Sequence, residues 1–245
     1  MSDTRSEATA PGGAIPYRPH VGTGRQYIRD IVLGVNDGLV SIFLLVVGVV
    51  GGGLEAREVL LAGLAAAAAG AISMAAGEYI ATKSQEEVFD SERELEIEHM
   101  EHHRERELDE FREMFRDMGL PPDDVERVVE SLDRDDAAFL KTMMALEFGV
   151  VEEERRSPYT AAVLSGLLFL AGSLPTLLPF FFVESTGFGL FLAAIFSGVG
   201  LFAVGVAKTY VTRKNPLWAG LENVLIATAG ALIAYVVGAL YNAYA

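Results

Sequence analysis

Acidic and imidazole side chains recur at helical spacing in the middle of this 245-residue chain. Intervals of three, four, four and three residues would place them on one face of a helix, and they are Glu96, His99, His103, Glu107 and Glu110. Carboxylates and imidazoles bind divalent metals, so this face is a candidate metal site. The solvated face of a charged helix explains the spacing equally well, because glutamate is abundant in this region.

The first two of these residues also form a Glu-x-x-His motif, which di-iron carboxylate bundles use twice. No second copy occurs outside this segment, so a ferritin-like oxidase centre is disfavoured and no catalytic residue is predicted. Farther along, Met143, Met144 and Glu147 again combine thioether and carboxylate groups, with Met143 and Glu147 one turn apart. The two methionines could equally form the core of a helical bundle.

Four further candidates, for a transport path, lie inside apolar stretches: Asp37, Met74, Glu78 and Glu222. A carboxylate within a membrane span costs about 2.5–3.5 kcal/mol on insertion scales and normally faces a cavity or a partner. At about 1.5 Å per residue, the four lie roughly 7–13 Å inside one membrane edge, counted from the nearest basic residue. Similar depth on three spans is what a single ion site requires. A thioether beside carboxylates favours a transition metal over Mg²⁺ or Ca²⁺.

These four residues also have structural interpretations. Met74 alone would ordinarily be apolar packing, although it shares a helix face with Glu78 at a spacing of four. Asp37 could cap a local kink in the segment Asn36-Asp37-Gly38, and Glu222 could be a partner for a polar group on another span. Both the metal-binding and the structural interpretation therefore stay open at this point.

Five apolar stretches are long enough to position these residues across a membrane, which requires about 20 helical residues for a hydrocarbon core of roughly 30 Å. They cover approximately 31–53, 59–82, 160–183, 187–207 and 217–240. The sequence therefore predicts an all-α protein with five transmembrane helices. Pro175 and Pro179 predict a distortion of the third helix.

The absence of cysteine excludes disulfides and thiolate metal sites.

The formal net charge of −15 comes from one segment between the second and third stretches. Residues 84–156, the acidic insert, hold 25 Asp and Glu against 10 Lys and Arg, whereas the rest of the chain holds nine of each. This charge favours a cationic partner and disfavours nucleic acid. We expect about three helices: one continuous through 84–118, one from Pro121-Pro122, and one from about Asp135 to Arg155.

Basic residues near the ends of spans predict the orientation in the membrane. They precede the first stretch and follow the fourth, and they are Arg5, Arg18, Arg25, Arg29, Lys208, Arg213 and Lys214. We therefore expect a cytosolic tail (1–30), spans one and two (31–83), a cytosolic helical domain (84–156) and spans three to five (157–245). The first stretch lacks a small-residue cleavage site and is predicted to be a retained span.

Four segments of the sequence resemble the vacuolar iron transporter family. They are DIVLGVNDGLVS in the first span, AISMAAGEYIATKSQ in the second, MMALEFGV in the third insert helix and GSLPTLLPFF in the third span. The order of these segments and the charged insert between spans two and three resemble the family as well. The resemblance extends from about Tyr27 to Tyr241.

This resemblance implies a homodimer of five-span subunits, with a metal path at the subunit interface, that exports Fe²⁺ from the cytosol in exchange for protons. It assigns Asp37 and Met74 to the transport path, with Glu78 in the same motif. It also implies a metal-binding set in the insert, which comprises Glu96, Glu107, Glu110, Met143, Met144 and Glu147. His99 stands where a glutamate is expected, which adds pH sensitivity near neutrality and leaves open whether the insert prefers Fe²⁺, Mn²⁺ or Zn²⁺.

From these observations we expect a transporter, and not an enzyme, that carries Fe²⁺ and also Mn²⁺ out of the cytosol. Family members without the insert exist, so the insert is expected to capture or buffer metal. The membrane would be vacuole-like in a eukaryote and the cytoplasmic membrane in a prokaryote. The alternative is a membrane-anchored sensor or store of divalent metal that transports nothing, which the intramembrane carboxylates argue against.

Overall fold

The structure is a computed structural model that describes residues 25–149, 155–212 and 214–244, with side chains from Asp30 onward except that of residue 211. Within these ranges the chain forms helices and no strand. Some of the predicted features lie outside the described residues: Arg5, Arg18, Arg213, the side chains of Arg25 and Arg29, and residues 150–154 at the end of the third insert helix. The all-α class is confirmed for the described part of the chain.

The helices of the described part follow one another with short connections. In chain order they are α1 (Arg25–Gly51), α2 (Ala56–His102), α3 (Arg104–Asp117), α4 (Pro122–Asp133), α5 (Asp136–Glu147), α6 (Pro158–Leu177), α7 (Thr186–Ala207), α8 (Thr209–Thr212) and α9 (Pro216–Tyr244). By length and composition, five of them could cross a membrane: α1, α2, α6, α7 and α9. Each of the five predicted spans thus corresponds to one candidate membrane-spanning helix. Pro175 lies in the last turn of α6, and Pro179 in the 3₁₀ turn Leu178–Phe181 that follows.

Helix α2 is longer than a membrane span requires. Its 47 residues correspond to about 70 Å at 1.5 Å per residue, roughly twice the thickness of a hydrocarbon core. The apolar half holds Met74, and the charged half continues without a break as the first part of the insert and holds Glu96. One rigid helix therefore connects the two regions in which metal ligands are predicted.

Helix α1 lies at the centre of the membrane-spanning part and contacts α2, α6, α7 and α9. Its backbone touches that of α6, since a Cβ atom on Gly38 would lie 2.1 Å from the carbonyl oxygen of Phe169. On α6, a Cβ atom on Gly172 would lie 2.2 Å from the carbonyl oxygen of Val35. Small residues permit such close helix contacts in lipid, and this contact fixes the side of α1 that faces α6.

The first insert helix is not continuous, contrary to the sequence-based expectation. The backbone departs from helical geometry at His103, with φ −132° and ψ 28°, so α2 ends there and α3 begins. The third insert helix was also predicted too long, because α5 ends at Glu147 and Gly149 has a φ of +65°. Glycine adopts this left-handed conformation without steric cost and commonly follows a helix end. The predicted start of the second helix at Pro121-Pro122 is confirmed.

Helices α3, α4 and α5 enclose their own hydrophobic core. It contains the fully buried Phe111 and Phe139, whose rings meet edge to face with centroids 4.7 Å apart, and the buried Val125, Val129 and Met143. Arg104, the first residue of α3, binds across to the junction of α4 and α5. Its guanidinium donates to Asp133 Oδ1, Asp133 O and Asp136 Oδ1, each at 2.8 Å, and stacks 4.3 Å above the Phe139 ring.

Candidate metal sites

The break at His103 brings side chains from two helices together in the insert. Glu96 and His99 from α2 and Glu107 from α3 each offer a ligand atom, and these atoms all lie within 4.8 Å of one another. His99 Nδ1 and Glu107 Oε1 are 3.3 Å apart. On one continuous helix, residues eight apart would be about 12 Å apart along the axis. The departure from a single helix is therefore what makes this cluster compact.

One oxygen of the Glu96 carboxylate lacks a hydrogen-bond partner among the described residues. The residue is 3% exposed, and this oxygen, Oε1, is buried. Burial, together with the charges of Glu107, Glu147 and Glu110, raises the pKa of Glu96 to about 7. A buried acceptor without a partner costs about 1–3 kcal/mol, and a bound cation would remove that cost. The donor set therefore fits a divalent metal.

Further carboxylates surround this cluster. Burial raises the pKa of Glu107, and the neighbouring charge of Glu110 adds to it. The pKa of Glu147 on α5 is also raised, first by burial and then by the charges of Glu110, Glu107 and Glu92. Glu92 was missed by the sequence analysis, although it lies four residues before Glu96 on the same helix face. Metal bound here would be surrounded by negative charge from α2, α3 and α5.

The remaining predicted insert residues lie in different environments. Met143 is completely buried in the core formed by α3, α4 and α5, and Met144 is 4% exposed. His103 is exposed at the helix break, with its ring centroid 6.1 Å from that of His99. The three-residue cluster thus comprises Glu96, His99 and Glu107, and the charges of Glu110 and Glu147 act on it.

Two of the four predicted membrane residues line one cavity. Asp37 from α1 and Met74 from α2 face a cavity of about 350 Å³ together with Phe169 from α6. Asp37 Oδ1 accepts a hydrogen bond of 2.9 Å from the Ser41 hydroxyl. Because Gly38 lies against α6, the adjacent Asp37 is directed toward the space beside α2. The complete lining is Asp37, Ser41, Ile42, Leu45, Ala66, Gly70, Ser73, Met74 and Phe169.

Glu78 lies one turn from Met74 and outside this lining. Its Oε1 atom is 3.9 Å from Nη1 of Arg156, which precedes α6. The same guanidinium donates to Asp30 Oδ2 on α1, and Asp30 is buried. The sequence pattern did not indicate Asp30, although it lies two turns before Asp37 in the same segment. Three elements of the chain therefore meet at one ion-pair cluster beside the cavity.

Glu222 lies apart from the cavity. It is on α9, which packs against α1 and α7, whereas the cavity is lined by α1, α2 and α6. Its Oε2 atom is 3.5 Å from Lys208 Nζ. The next residue, Asn223, donates to Asn36 Oδ1 at 3.3 Å and so joins α9 to α1. Similar depth along the span did not bring Glu222 to the same place as Asp37, because depth alone does not specify the direction of a side chain.

Comparisons with known proteins identify related sequences along most of the chain. A sequence model of the VIT family matches residues 28–239. The chain is 31% identical to a vacuolar iron transporter of Centaurea cyanus over 219 residues, and this alignment covers 89% of each of the two chains. It is 32% identical to vacuolar iron transporter 1 of Tulipa gesneriana, over 87% of this chain and 86% of the relative. It is also 32% identical to vacuolar iron transporter 2 of Oryza sativa subsp. japonica, over 87% of each chain.

Proposed function

Because the chain belongs to the VIT family of vacuolar iron transporters, we propose that it carries Fe²⁺, and also Mn²⁺, out of the cytosol across its membrane. The observation that supports this most strongly is the cavity shared by Asp37 and Met74. A carboxylate binds any divalent cation, whereas a thioether contributes little to Ca²⁺ or Mg²⁺ and more to softer metals. The combination suits a transition metal that must be bound and then released.

The acidic insert is proposed to face the cytosol and to supply the cavity. Glu96, His99 and Glu107 would capture the ion, and α2 leads from this cluster directly to Met74. The insert carries most of the negative charge of the chain, which raises the local concentration of divalent cations. The basic residues at the span ends support this orientation. The membrane would then be vacuole-like in a eukaryote and the cytoplasmic membrane in a prokaryote.

Export is proposed to be coupled to protons and to occur in a homodimer. A proton arriving from the far side would neutralise Asp37 and weaken its hold on the metal, since a metal-binding carboxylate must be ionised. Asp37 and Ser73 are exposed in the single chain, so one side of the cavity is open. A second copy of the chain could close that side and bring two cavities together. Contributions of Glu78 and Glu222 to the path remain predictions.

The alternative function, a membrane-anchored sensor or store of metal, draws support from the unsatisfied buried carboxylate of Glu96. Flux of Fe²⁺ into sealed proteoliposomes separates the two functions. If the chain is a transporter, Fe²⁺ should enter vesicles that contain the full chain, and Mn²⁺ should compete with Fe²⁺ better than Ca²⁺ does. A full chain that binds Fe²⁺ but gives no more entry than protein-free vesicles would favour the sensor or store.

A further inference from the structure

We propose that Arg156 closes the insert-side mouth of the Asp37–Met74 cavity by bridging the two helices that line it. The identity of the passing ion rests on the proposed function, whereas the closure itself rests on the geometry. Arg156 is the last residue of the insert and lies two residues before the start of α6. Its guanidinium contacts a carboxylate on α1 and another on α2, the helices that supply Asp37 and Met74.

The bridge lies on the side of the cavity that faces the insert. Asp30 precedes Asp37 by seven residues, or about 10 Å, on a helix that runs away from the insert. Glu78 follows Met74 by four residues, or about 6 Å, on a helix that runs toward the insert. An ion coming from Glu96 along α2 would therefore meet the Asp30–Arg156–Glu78 bridge before it reaches the cavity.

The bridge is well shielded from solvent. The Arg156 side chain is 14% exposed, the Asp30 side chain 4% and the Glu78 side chain 24%. Charges in such surroundings are screened less by salt than exposed pairs are, so the guanidinium is held firmly between the two carboxylates. The bridge therefore belongs to the packed part of the structure rather than to its surface.

The bridge favours divalent over monovalent ions. Coulomb attraction to the two carboxylates scales with the charge of the cation, so a divalent ion can replace the guanidinium, whereas K⁺ gains no more than the arginine does. The arginine is tethered, which gives it a high effective concentration at the mouth and a further advantage over monovalent ions. The mouth would thus stay closed to abundant monovalent cations and open to the ion that the insert collects.

The neighbouring arginine provides a matched control. Arg155 binds Glu86 and Asp90, both on α2, and its guanidinium stacks 4.6 Å above the Phe89 ring. Because both of its carboxylate partners lie on one helix, Arg155 does not bridge the cavity mouth. Replacing either arginine with glutamine removes the same charge, and only one replacement releases the bridge.

Cysteine accessibility tests the closure directly. The chain contains no cysteine, so Ser73→Cys places a unique thiol in the cavity lining. A cationic, membrane-impermeant methanethiosulfonate reagent is added to the insert side of the reconstituted protein. The open side of the cavity, between membrane-spanning helices, faces lipid or the second copy there, so the charged reagent has to pass the insert-side mouth. Arg156→Gln is expected to accelerate labelling by about fivefold or more, because the bridged mouth would be open only in a minor population. Arg155→Gln is expected to stay within about twofold of the parent.

Glu78→Gln releases the α2 end of the bridge and leaves the Asp30–Arg156 pair intact. It should also accelerate labelling, and it keeps the test decisive if Arg156→Gln does not fold. A folded Arg156→Gln or Glu78→Gln protein that labels at the parental rate would overturn the closure, as would equal acceleration by Arg155→Gln. The labelling needs no transport, so this outcome is separate from the Fe²⁺ flux that tests the proposed function.

Discussion

Two of the carboxylates proposed to bind metal, Asp37 and Glu96, have different surroundings that suit different roles. Glu96 is buried, lacks a partner for Oε1 among the described residues, and has its pKa raised to about 7. Asp37 faces an open cavity and accepts a hydrogen bond from Ser41. Glu96 can exchange a proton for a metal ion near neutral pH, which suits a site that captures the ion. Asp37 lies on an accessible cavity wall, which suits a site through which the ion passes.

The raised pKa of Glu96 predicts how the metal-free insert responds to pH. In the unfolded chain this carboxyl titrates near 4.5 and in the folded chain near 7, so between these values the folded state binds more protons. The stability of the insert should therefore fall as the pH rises from about 4.5 to about 7. Hydrogen exchange of α3 and α5 amides in metal-free protein measures this, with faster exchange expected at the higher pH after correction for intrinsic rates.

Glu96→Gln is the control for that experiment, because glutamine fills the same space and does not titrate. In the variant, the stability of the insert should lose the part of its pH dependence that comes from Glu96. The parts that come from Glu107 and Glu147 should remain. An unchanged pH profile in Glu96→Gln would show that the environment of Glu96 is assigned incorrectly.

The thioether of Met74 is predicted to determine the selectivity of the cavity. Met74→Leu keeps the apolar volume, so its cost in stability should be below about 1.5 kcal/mol. It removes the soft ligand, so Ca²⁺ should compete severalfold better against Fe²⁺ than it does in the parent. Competition in proteoliposome flux measures the ratio. If the ranking of Fe²⁺, Mn²⁺ and Ca²⁺ is the same in both proteins, Met74 is apolar packing.

At the level of helices, the compact insert cluster depends on the break between α2 and α3 at His103. The sequence did not predict this break, because 84–118 contains neither glycine nor proline. The adjacent Arg104 explains it, since its bonds to Asp133 and Asp136 and its stacking on Phe139 hold the start of α3 against α4 and α5. These partners are about thirty residues away in sequence, beyond what local spacing can reveal.

Arg104→Ala is therefore expected to weaken metal binding by the insert by about tenfold, because Glu107 would no longer be held against Glu96 and His99. Arg112→Ala is the matched control, since Arg112 is equally exposed and joins α3 to α4 through Glu126. Calorimetric titration with Mn²⁺, a stable divalent probe, measures the affinity, and circular dichroism confirms the helix content. Equal weakening by both variants would indicate general destabilisation of the insert.

Hydropathy and charge predicted the helices that cross the membrane and the position of the insert, because burial in lipid requires long apolar helices whatever their packing. The same signals did not predict which sides of the helices meet. Asp37 and Met74 were correctly expected to be close, whereas Glu222 pairs with Lys208 away from the cavity. The Asp30–Arg156 contact joins residues 126 positions apart and has no local signature.

Over the whole molecule, ligands and charge form a sequence of sites along α2. The acidic cluster lies at its insert end, the Arg156 bridge contacts this helix at Glu78, and the Asp37–Met74 cavity lies beside its apolar half. About 33 Å separate Glu96 from Met74 along this continuous helix. Metal binding in the insert and metal binding in the cavity should therefore be independent. A variant that removes ligands from one region should still bind metal in the other.

The most direct test of transport through this cavity is the initial rate of Fe²⁺ entry into proteoliposomes containing Asp37→Asn. Asparagine keeps the size of the side chain and removes its charge. The rate should fall by about tenfold or more, because the cavity loses its anionic ligand, while Fe²⁺ binding in the insert is preserved. Asp117→Asn, at the exposed end of α3, should transport at the parental rate. Parental flux through Asp37→Asn would contradict the account.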